Sequence, residues 1–89
     1  MKRKTILGQP YIHDILRALL DGPKRYGDLS NSCPNETTRT IKLRRLESMN
    51  LITTMTVKIG KRPFVHYKLT EKGERFTREL GKLINMLEG

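Results

Sequence analysis

The sequence contains one cysteine, no tryptophan and only short hydrophobic runs. The single cysteine, Cys33, excludes an internal disulfide framework and offers no spacing typical of a metal site. No apolar run approaches the roughly 18 residues of a membrane span, and the opening residues MKRKTILG are not followed by the apolar core of a signal peptide. We therefore expect a cytoplasmic protein that does not contact membranes.

Acidic residues are scarce and unevenly placed. The chain has 89 residues, with 18 lysines and arginines against 9 aspartates and glutamates, and a formal net charge of +9. Residues 58–70 carry four basic side chains and no acidic one, whereas residues 71–89 carry four of each. A basic region confined to part of a small protein is the electrostatic footprint of a polyanionic partner, although a generic basic surface has the same composition. Charge alone leaves both interpretations open.

The sequence also lacks any recognisable catalytic constellation. An enzyme needs a nucleophile with a base, a pair of carboxylates or a metal cluster. Neither His13 nor His66 has residues with ligand-like spacing around it. We predict no enzymatic activity, no cofactor and no metal, and the sequence shows no evident small-molecule site. Cys33 falls at a turn, where oxidant sensing and a structural role are both open interpretations.

The length allows one domain with one modest core. Hydrophobic residues make up 36% of the chain and charged residues 30%, which is typical of a globular domain and not of a disordered segment. No internal repeat, low-complexity tract or linker interrupts it. We predict that residues 1–89 form a single domain, with a basic N-terminal arm at residues 1–8.

The first helical pattern covers residues 9–20. Five apolar residues recur there at i, i+3, i+4, i+7 and i+8, which places them on one buried face. The sequence Asp-Gly-Pro at 21–23 then ends the helix, because glycine and proline do not continue it. A short strand at 24–26 and a short helix around 28–32 are expected to follow.

Two further helices have clear boundary signals. Asn35 can cap a helix that runs to about Met49, and Asn50 suits the left-handed position that follows it. Thr70 can cap a last helix at about residues 71–88. With the hairpin between them, the predicted order is helix, short strand, short helix, helix, strand, wing, strand and last helix. This is a mainly α protein with a small antiparallel β-hairpin, in the α+β class.

The hairpin has two alternating apolar runs around the sequence Gly-Lys-Arg-Pro. To bring both runs onto one face, Ile59 must lie opposite Val65, which makes residues 60–64 a five-residue loop. Phe64 then belongs to the tip or to a bulge. The outer face is expected to be polar, and it consists of Thr54, Thr56, Lys58, His66 and Lys68.

The helix predicted at 36–49 has an unusual exposed face. A step of 100° per residue places Leu46 and Asn50 close to Leu43, on the buried side. The opposite side holds hydroxyl groups, one aliphatic side chain and two arginines, with Lys42 on its flank: Thr37, Thr38, Ile41, Arg44, Arg45 and Ser48. This set suits a DNA major groove, where hydroxyl groups bind phosphates or bases, an aliphatic group contacts a thymine methyl, and arginine binds guanine or phosphate. A solvated helix face has a similar composition.

Arg39 does not fit this scheme, because it falls near the buried side of the helix. Either its stem lies across the first helix or its guanidinium reaches a phosphate from the helix edge.

The last helix has an apolar stripe that is long for so small a domain, and we predict that it forms a homodimer contact. The stripe consists of Phe76, Leu80, Leu83, Ile84 and Leu87.

Two motifs resemble those of a known family. LRRLESMNLI at 43–52 and VHYKLTEKGERF at 65–76 resemble winged helix-turn-helix transcription regulators of the HxlR and ArsR/MarR-like group. The resemblance covers about residues 11–80. It implies a three-helix core with a two-stranded wing, and terminal helices that form the dimer contact. In this family the position of Arg39 is usually apolar and that of Asn50 is usually glycine.

The leading hypothesis is therefore a sequence-specific regulator of transcription that binds double-stranded DNA as a homodimer. The helix at about 36–49 would enter the major groove, and the wing at 60–64, with Lys61 and Arg62, would lie on the flanking backbone or minor groove. Two alternatives stay open. One is a non-sequence-specific architectural or single-stranded nucleic-acid binder, and the other is a winged-helix module that binds an acidic protein.

Overall fold

The computed structural model describes residues 11–88, so the predicted basic arm at residues 1–8 lies outside the described residues. The described chain forms helices α1 (Ile12–Leu20), α2 (Glu36–Ser48) and α3 (Glu71–Glu88) and strands β1 (Lys24–Arg25), β2 (Ile52–Ile59) and β3 (Arg62–Leu69). The strands form one antiparallel sheet in the order β1-β3-β2. The predicted α+β class is confirmed.

The short second helix predicted at 28–32 is not confirmed as an α-helix. The chain forms a 3-10 helix at Gly27–Leu29, followed by hydrogen-bonded turns. The amides of Ser32 and Cys33 both donate to the carbonyl oxygen of Leu29, at 3.1 and 2.9 Å. Serine and asparagine side chains compete for backbone groups and so weaken a short helix. Residues 11–88 therefore contain three α-helices, where the sequence predicted four.

The hydrophobic core lies between the three α-helices and the base of the sheet. It includes four of the five stripe residues of α1, and Leu20, the fifth, is half-buried. Burial of each leucine or isoleucine side chain contributes about 1.5–3 kcal/mol. The buried apolar residues are Ile12, Ile15, Leu16, Leu19, Leu29, Cys33, Leu43, Leu46, Leu51, Ile52 and Leu80.

The helix boundaries follow the local signals in the sequence. Oδ1 of Asn35 accepts a hydrogen bond from the amide of Thr38 at 2.9 Å, which caps α2. Asn50 adopts a left-handed φ of 63° after the end of α2. Oγ1 of Thr70 accepts from the amide of Gly73 at 2.9 Å and caps α3. These three predictions are confirmed.

The predicted register of the hairpin is wrong. Ile59 pairs with Arg62 and not with Val65, and Val57 pairs with Phe64. The connection is the two-residue turn at 60–61, whose glycine adopts a φ of 66° that favours a tight hairpin turn. Phe64 therefore lies within β3, outside any loop or bulge.

The predicted register requires one apolar face along the whole hairpin, and the hairpin does not have one. Near the base of the sheet, Ile52 and Leu69 do share a face that packs on the core. Farther from the base no core residue of the described chain packs against that face, and Val65 on it is 56% exposed. The apolar pattern therefore does not determine the register near the tip, and a tight turn that pairs the strand backbones does so instead.

The predicted polar face of the hairpin is divided for the same reason. Residues paired across an antiparallel ladder lie on the same face of the sheet. Thr54 and Thr56 pair with Tyr67 and Val65, on the face that packs on the core at its base. His66 pairs with Met55 on the opposite face. Lys58 lies with the two threonines, and Lys68 lies with His66.

The first turn of α3 packs directly on the backbone that precedes β2. A Cβ atom added to Gly73 would overlap the carbonyl oxygen of Leu51. That carbonyl oxygen also accepts hydrogen bonds from the amide and the hydroxyl of Thr70, at 3.0 and 3.2 Å. The close approach therefore fixes α3 against the start of the wing.

We predict that Gly73→Ala lowers the free energy of unfolding by about 1–3 kcal/mol, because the added methyl group must displace fixed backbone. Gly81→Ala is the matched control, since a Cβ on Gly81 of the same helix has no neighbour within 4 Å. It should raise the free energy of unfolding by up to about 1 kcal/mol. Urea unfolding of both variants tests this, and equal stabilities would contradict it.

Candidate nucleic-acid interface

Helix α2 is held in the domain by one side only. Leu43 and Leu46 are 1% and 0% exposed and belong to the core. Seven positions on the other side form the face predicted from the helical spacing. Five of them are exposed, and Thr38 and Lys42 are half-buried. The exposed five are Thr37, Ile41, Arg44, Arg45 and Ser48.

Arg39 lies in the interior, with 3% of its surface exposed. Its Nε donates to the carbonyl oxygen of Cys33 at 2.8 Å, and its Nη2 donates to that of Pro34 at 3.0 Å. The guanidinium also stacks over the ring of Tyr26, at 4.7 Å from the centroid. These contacts commit Arg39 to the turn that precedes its own helix, so it is not available to a DNA phosphate. Sequence reasoning left the role of Arg39 open.

Tyr26 connects the same junction to the sheet. Its hydroxyl donates to the carbonyl oxygen of Glu36 at 2.8 Å and lies 2.7 Å from Oγ1 of Thr40. The ring stacks on the guanidinium of Arg39, and the hydroxyl forms hydrogen bonds with the first turns of α2. Tyr26 therefore ties the end of β1 to α2, and we name the group formed by Arg39, Tyr26 and the turn at 33–34 the α2 junction.

The wing places Lys61 and Arg62 at its tip, and both are exposed. The guanidinium carbon of Arg62 lies 5.9 Å from the centroid of the Phe64 ring. The guanidinium of Arg25, on β1, stacks on the same ring at 4.3 Å. Sequence reasoning missed Arg25, because its position beside Phe64 depends on the pairing of β1 with β3. The only local signal was its place in a short basic strand.

Among the described residues, two exposed basic side chains on α3 form ion pairs, whereas those exposed on α2 and at the wing tip do not. On α3, Arg78 forms an ion pair with Glu74 at 3.5 Å and Lys82 forms one with Glu79 at 3.4 Å. In residues 11–88 no ion pair neutralises the four arginine and lysine side chains exposed on α2 and at the wing tip. They are Arg44, Arg45, Lys61 and Arg62. The structure therefore concentrates uncompensated positive charge on these two elements.

The apolar stripe of α3 is divided between the core and the surface. Leu80 is 6% exposed and belongs to the core, and Phe76 and Ile84 pack against it. Leu83 is 48% exposed and Leu87 is 88% exposed. Met86, which the sequence analysis did not include, is also exposed. The free apolar surface therefore lies near the C-terminal end of α3.

Cys33 is fully buried, and its role in this structure is to pack the core. Burial raises the pKa of the Cys33 thiol, and the nearby positive charge of Arg39 opposes this shift in part. Because the thiolate is the reactive form, both the burial and the direction of the shift reduce its reactivity toward oxidants.

Other kinds of site are not found in the part of the chain that the structure describes. Residues 11–88 bring no three or more His, Cys, Asp or Glu side chains together as a metal site. None of the helices in that range combines the length and the apolar character needed to cross a membrane.

The HxlR-like helix-turn-helix family model matches residues 6–88. The chain belongs to this family. The structural arrangement agrees with it, since the 3-10 helix, the turn and α2 stand where a helix-turn-helix is expected and the hairpin forms the wing. No curated protein matches the chain at a significant level.

Solved structures described as transcription regulators have a similar fold. Diamide-treated YodB from B. subtilis has a TM-score of 0.80 at 24% identity, and the match covers 93% of this chain and 83% of that one. The regulator ytfH from Salmonella typhimurium has a TM-score of 0.74 at 26% identity, over 93% and 75% of the two chains. The HTH-type regulator ytcD has a TM-score of 0.74 at 29% identity, over 90% and 83%.

We predict that Arg39→Met lowers the free energy of unfolding by about 2–4 kcal/mol. The substitution keeps an apolar stem but leaves the carbonyl groups of Cys33 and Pro34 without their donors. Arg45→Met on the exposed face of the same helix is the control, and we expect it to stay within about 0.5 kcal/mol of the wild type. Urea unfolding measures both. Wild-type stability for Arg39→Met would show that the α2 junction is not a stabilising element.

Proposed function

We propose that this HxlR-like protein is a sequence-specific transcription regulator that binds double-stranded DNA and has no catalytic role. The observation that carries the proposal is the exposed face of α2. That face combines hydroxyl groups, unpaired arginines and Ile41, an aliphatic side chain that is 54% exposed. An exposed isoleucine gains no favourable contact from water. In a major groove it can contact thymine methyl groups, while the basic side chains beside it bind phosphates.

Each residue on the face is assigned a contact by its chemistry. Arg44 and Arg45 are exposed and can form paired hydrogen bonds with guanine or with phosphate. Ile41 would contact thymine methyl groups, and Thr37 would donate to phosphate or to a base edge. Two half-buried residues at the margin of the face, Thr38 and Lys42, would contribute phosphate contacts.

The wing supplies the second contact. Lys61 and Arg62 stand at a tight turn that projects from the domain, and no acidic residue occurs between 52 and 70. We propose that they bind the backbone or the minor groove beside the site that α2 occupies. Their contribution would be strong at low salt and would weaken as salt rises, because it depends on counterion release.

We propose that the protein is a homodimer that uses the C-terminal half of α3. The support is the exposed apolar surface of Leu83, Met86 and Leu87, which lies on one helix and has no cover within the described chain. The other stripe residues, Phe76, Leu80 and Ile84, would support this surface from inside the domain. A two-fold symmetric dimer would present two α2 helices to successive major grooves.

A stacking platform for single-stranded nucleic acid is less well supported. Such platforms need aromatic rings with open faces. The ring of Tyr26 is stacked by Arg39, and that of Phe64 is stacked by Arg25. Tyr67 is half-buried at the base of the sheet.

In-vitro selection from a randomised duplex pool tests the proposed function. We predict enrichment of an inverted repeat whose half-sites are about one helical turn apart, because a symmetric dimer places two α2 helices at that spacing. Arg45→Ala should weaken binding to the selected site by about 1–3 kcal/mol in fluorescence anisotropy, while Arg75→Ala on α3 removes the same charge with little effect.

Other outcomes of the selection would contradict parts of the proposal. Tight binding to random duplex with no enriched sequence would favour an architectural binder. A single asymmetric site would contradict the dimer. If the folded protein binds no duplex even at low salt, the alternative of a module that binds an acidic protein would replace the present proposal.

A further inference from the structure

Arg25, Arg62 and Phe64 meet on the outer face of the sheet, opposite the face that packs on the core. The strand register places Arg62, Phe64 and His66 on this face of β3, and Arg25 of β1 pairs with His66. Arg25 is therefore a diagonal neighbour of Phe64, at a separation that long side chains span. The guanidinium carbons of Arg25 and Arg62 lie 4.3 and 5.9 Å from the centroid of the same ring.

The positive charge on this face is not offset by any carboxylate of β2 or β3. Residues 52–70 contain no acidic side chain, so β2 and β3 supply none. Asp28 is close to the backbone of Arg25, but its Oδ2 accepts the amide of Arg25 at 3.1 Å. Among residues 11–88, neither guanidinium group takes part in an ion pair. Two cations held near one ring repel each other, and a bound anion would remove that repulsion.

The geometry of stacking favours a phosphate as that anion. A guanidinium that lies on an aromatic face keeps its N–H donors at its edge, where they are open to solvent. Those donors match the oxygen atoms of a phosphate group in paired hydrogen bonds. The ring also restricts the rotamers of both arginines, so less conformational entropy is lost when the anion binds.

We propose that Arg25 and Arg62, held on Phe64, form a phosphate clamp that binds the DNA backbone beside the wing. The ligand class is a phosphodiester group of duplex DNA, and the proposal rests on the proposed function. It adds β1 to the DNA-binding surface. The contact of the wing is then not limited to its tip, since it extends along the outer face of the sheet.

Salt-dependent binding of a labelled random-sequence duplex tests the clamp. Arg25→Gln should reduce the slope of log K against log salt by about 1 and weaken binding by about eightfold at 0.1 M salt, as expected for the loss of one phosphate contact. Arg62→Gln should behave in the same way. Phe64→Leu keeps both charges but removes the ring, so Arg25→Gln should cost less affinity in that background.

Two controls separate the clamp from a general effect of charge. Arg78→Gln removes an equal charge from α3 and should leave the slope unchanged. Arg25→Lys keeps the charge but lacks the planar guanidinium that donates paired hydrogen bonds. This variant should keep the slope of log K against log salt and bind the duplex more weakly. Far-UV circular dichroism confirms that each variant is folded.

The outcomes distinguish the clamp from the function on which it rests. If the folded wild type binds no duplex at low salt, both proposals are overturned. If the wild type binds and Arg62→Gln weakens binding, but Arg25→Gln behaves like Arg78→Gln, only the clamp is overturned. A loss of slope in both arginine variants, with a reduced effect of Arg25→Gln in the Phe64→Leu background, supports it.

Discussion

The buried guanidinium of Arg39 is the interaction on which the proposed interface depends. It joins the turn at residues 33–34 to α2 through two hydrogen bonds and stacks on Tyr26, whose hydroxyl holds the first turns of the helix. Burying a charge is costly unless hydrogen bonds compensate it, so these contacts favour the observed position of the turn against the helix. α2 contributes few side chains to the core. The contacts of the α2 junction therefore provide much of the interaction that orients its polar face toward solvent.

The distribution of charge follows from this arrangement. The bases of α3 include two that pair with acidic neighbours on the same helix, whereas the arginines exposed on α2 and at the wing tip have no such partner within residues 11–88. The wing strands and their turn contribute four basic residues and no acidic one to the formal charge of +9. Uncompensated charge of this kind does little for the stability of the isolated domain, and a polyanionic ligand accounts for it better than solvent does.

Local signals in the sequence were sufficient for the three long helices but not for the short helix expected at 28–32, and contacts between distant residues were not predictable. Asn35 and Thr70 were recognised as caps because capping depends on a few neighbouring residues. The hairpin register failed because the alternation of apolar residues carries information only where a core covers one face, and Val65 lies beyond that cover. The partners of Arg39 and Arg25 could not be predicted, since each depends on the position of an aromatic ring that the fold brings close. Helical geometry predicted the exposed side of α2 only in part, since Thr38 and Lys42 are half-buried and Asn50, expected on the buried side, is exposed.

The central claim is that α2 and the wing together form the surface that binds DNA. The most direct test is an NMR titration of the isotope-labelled protein with the selected duplex, followed through backbone amide and arginine Nε–H signals. The account predicts that the largest shifts occur at residues 37–45 and 60–64, with small shifts in the buried parts of α1 and at Thr77 of α3. Shifts confined to α3, or shifts absent from α2 while DNA is bound, would contradict it.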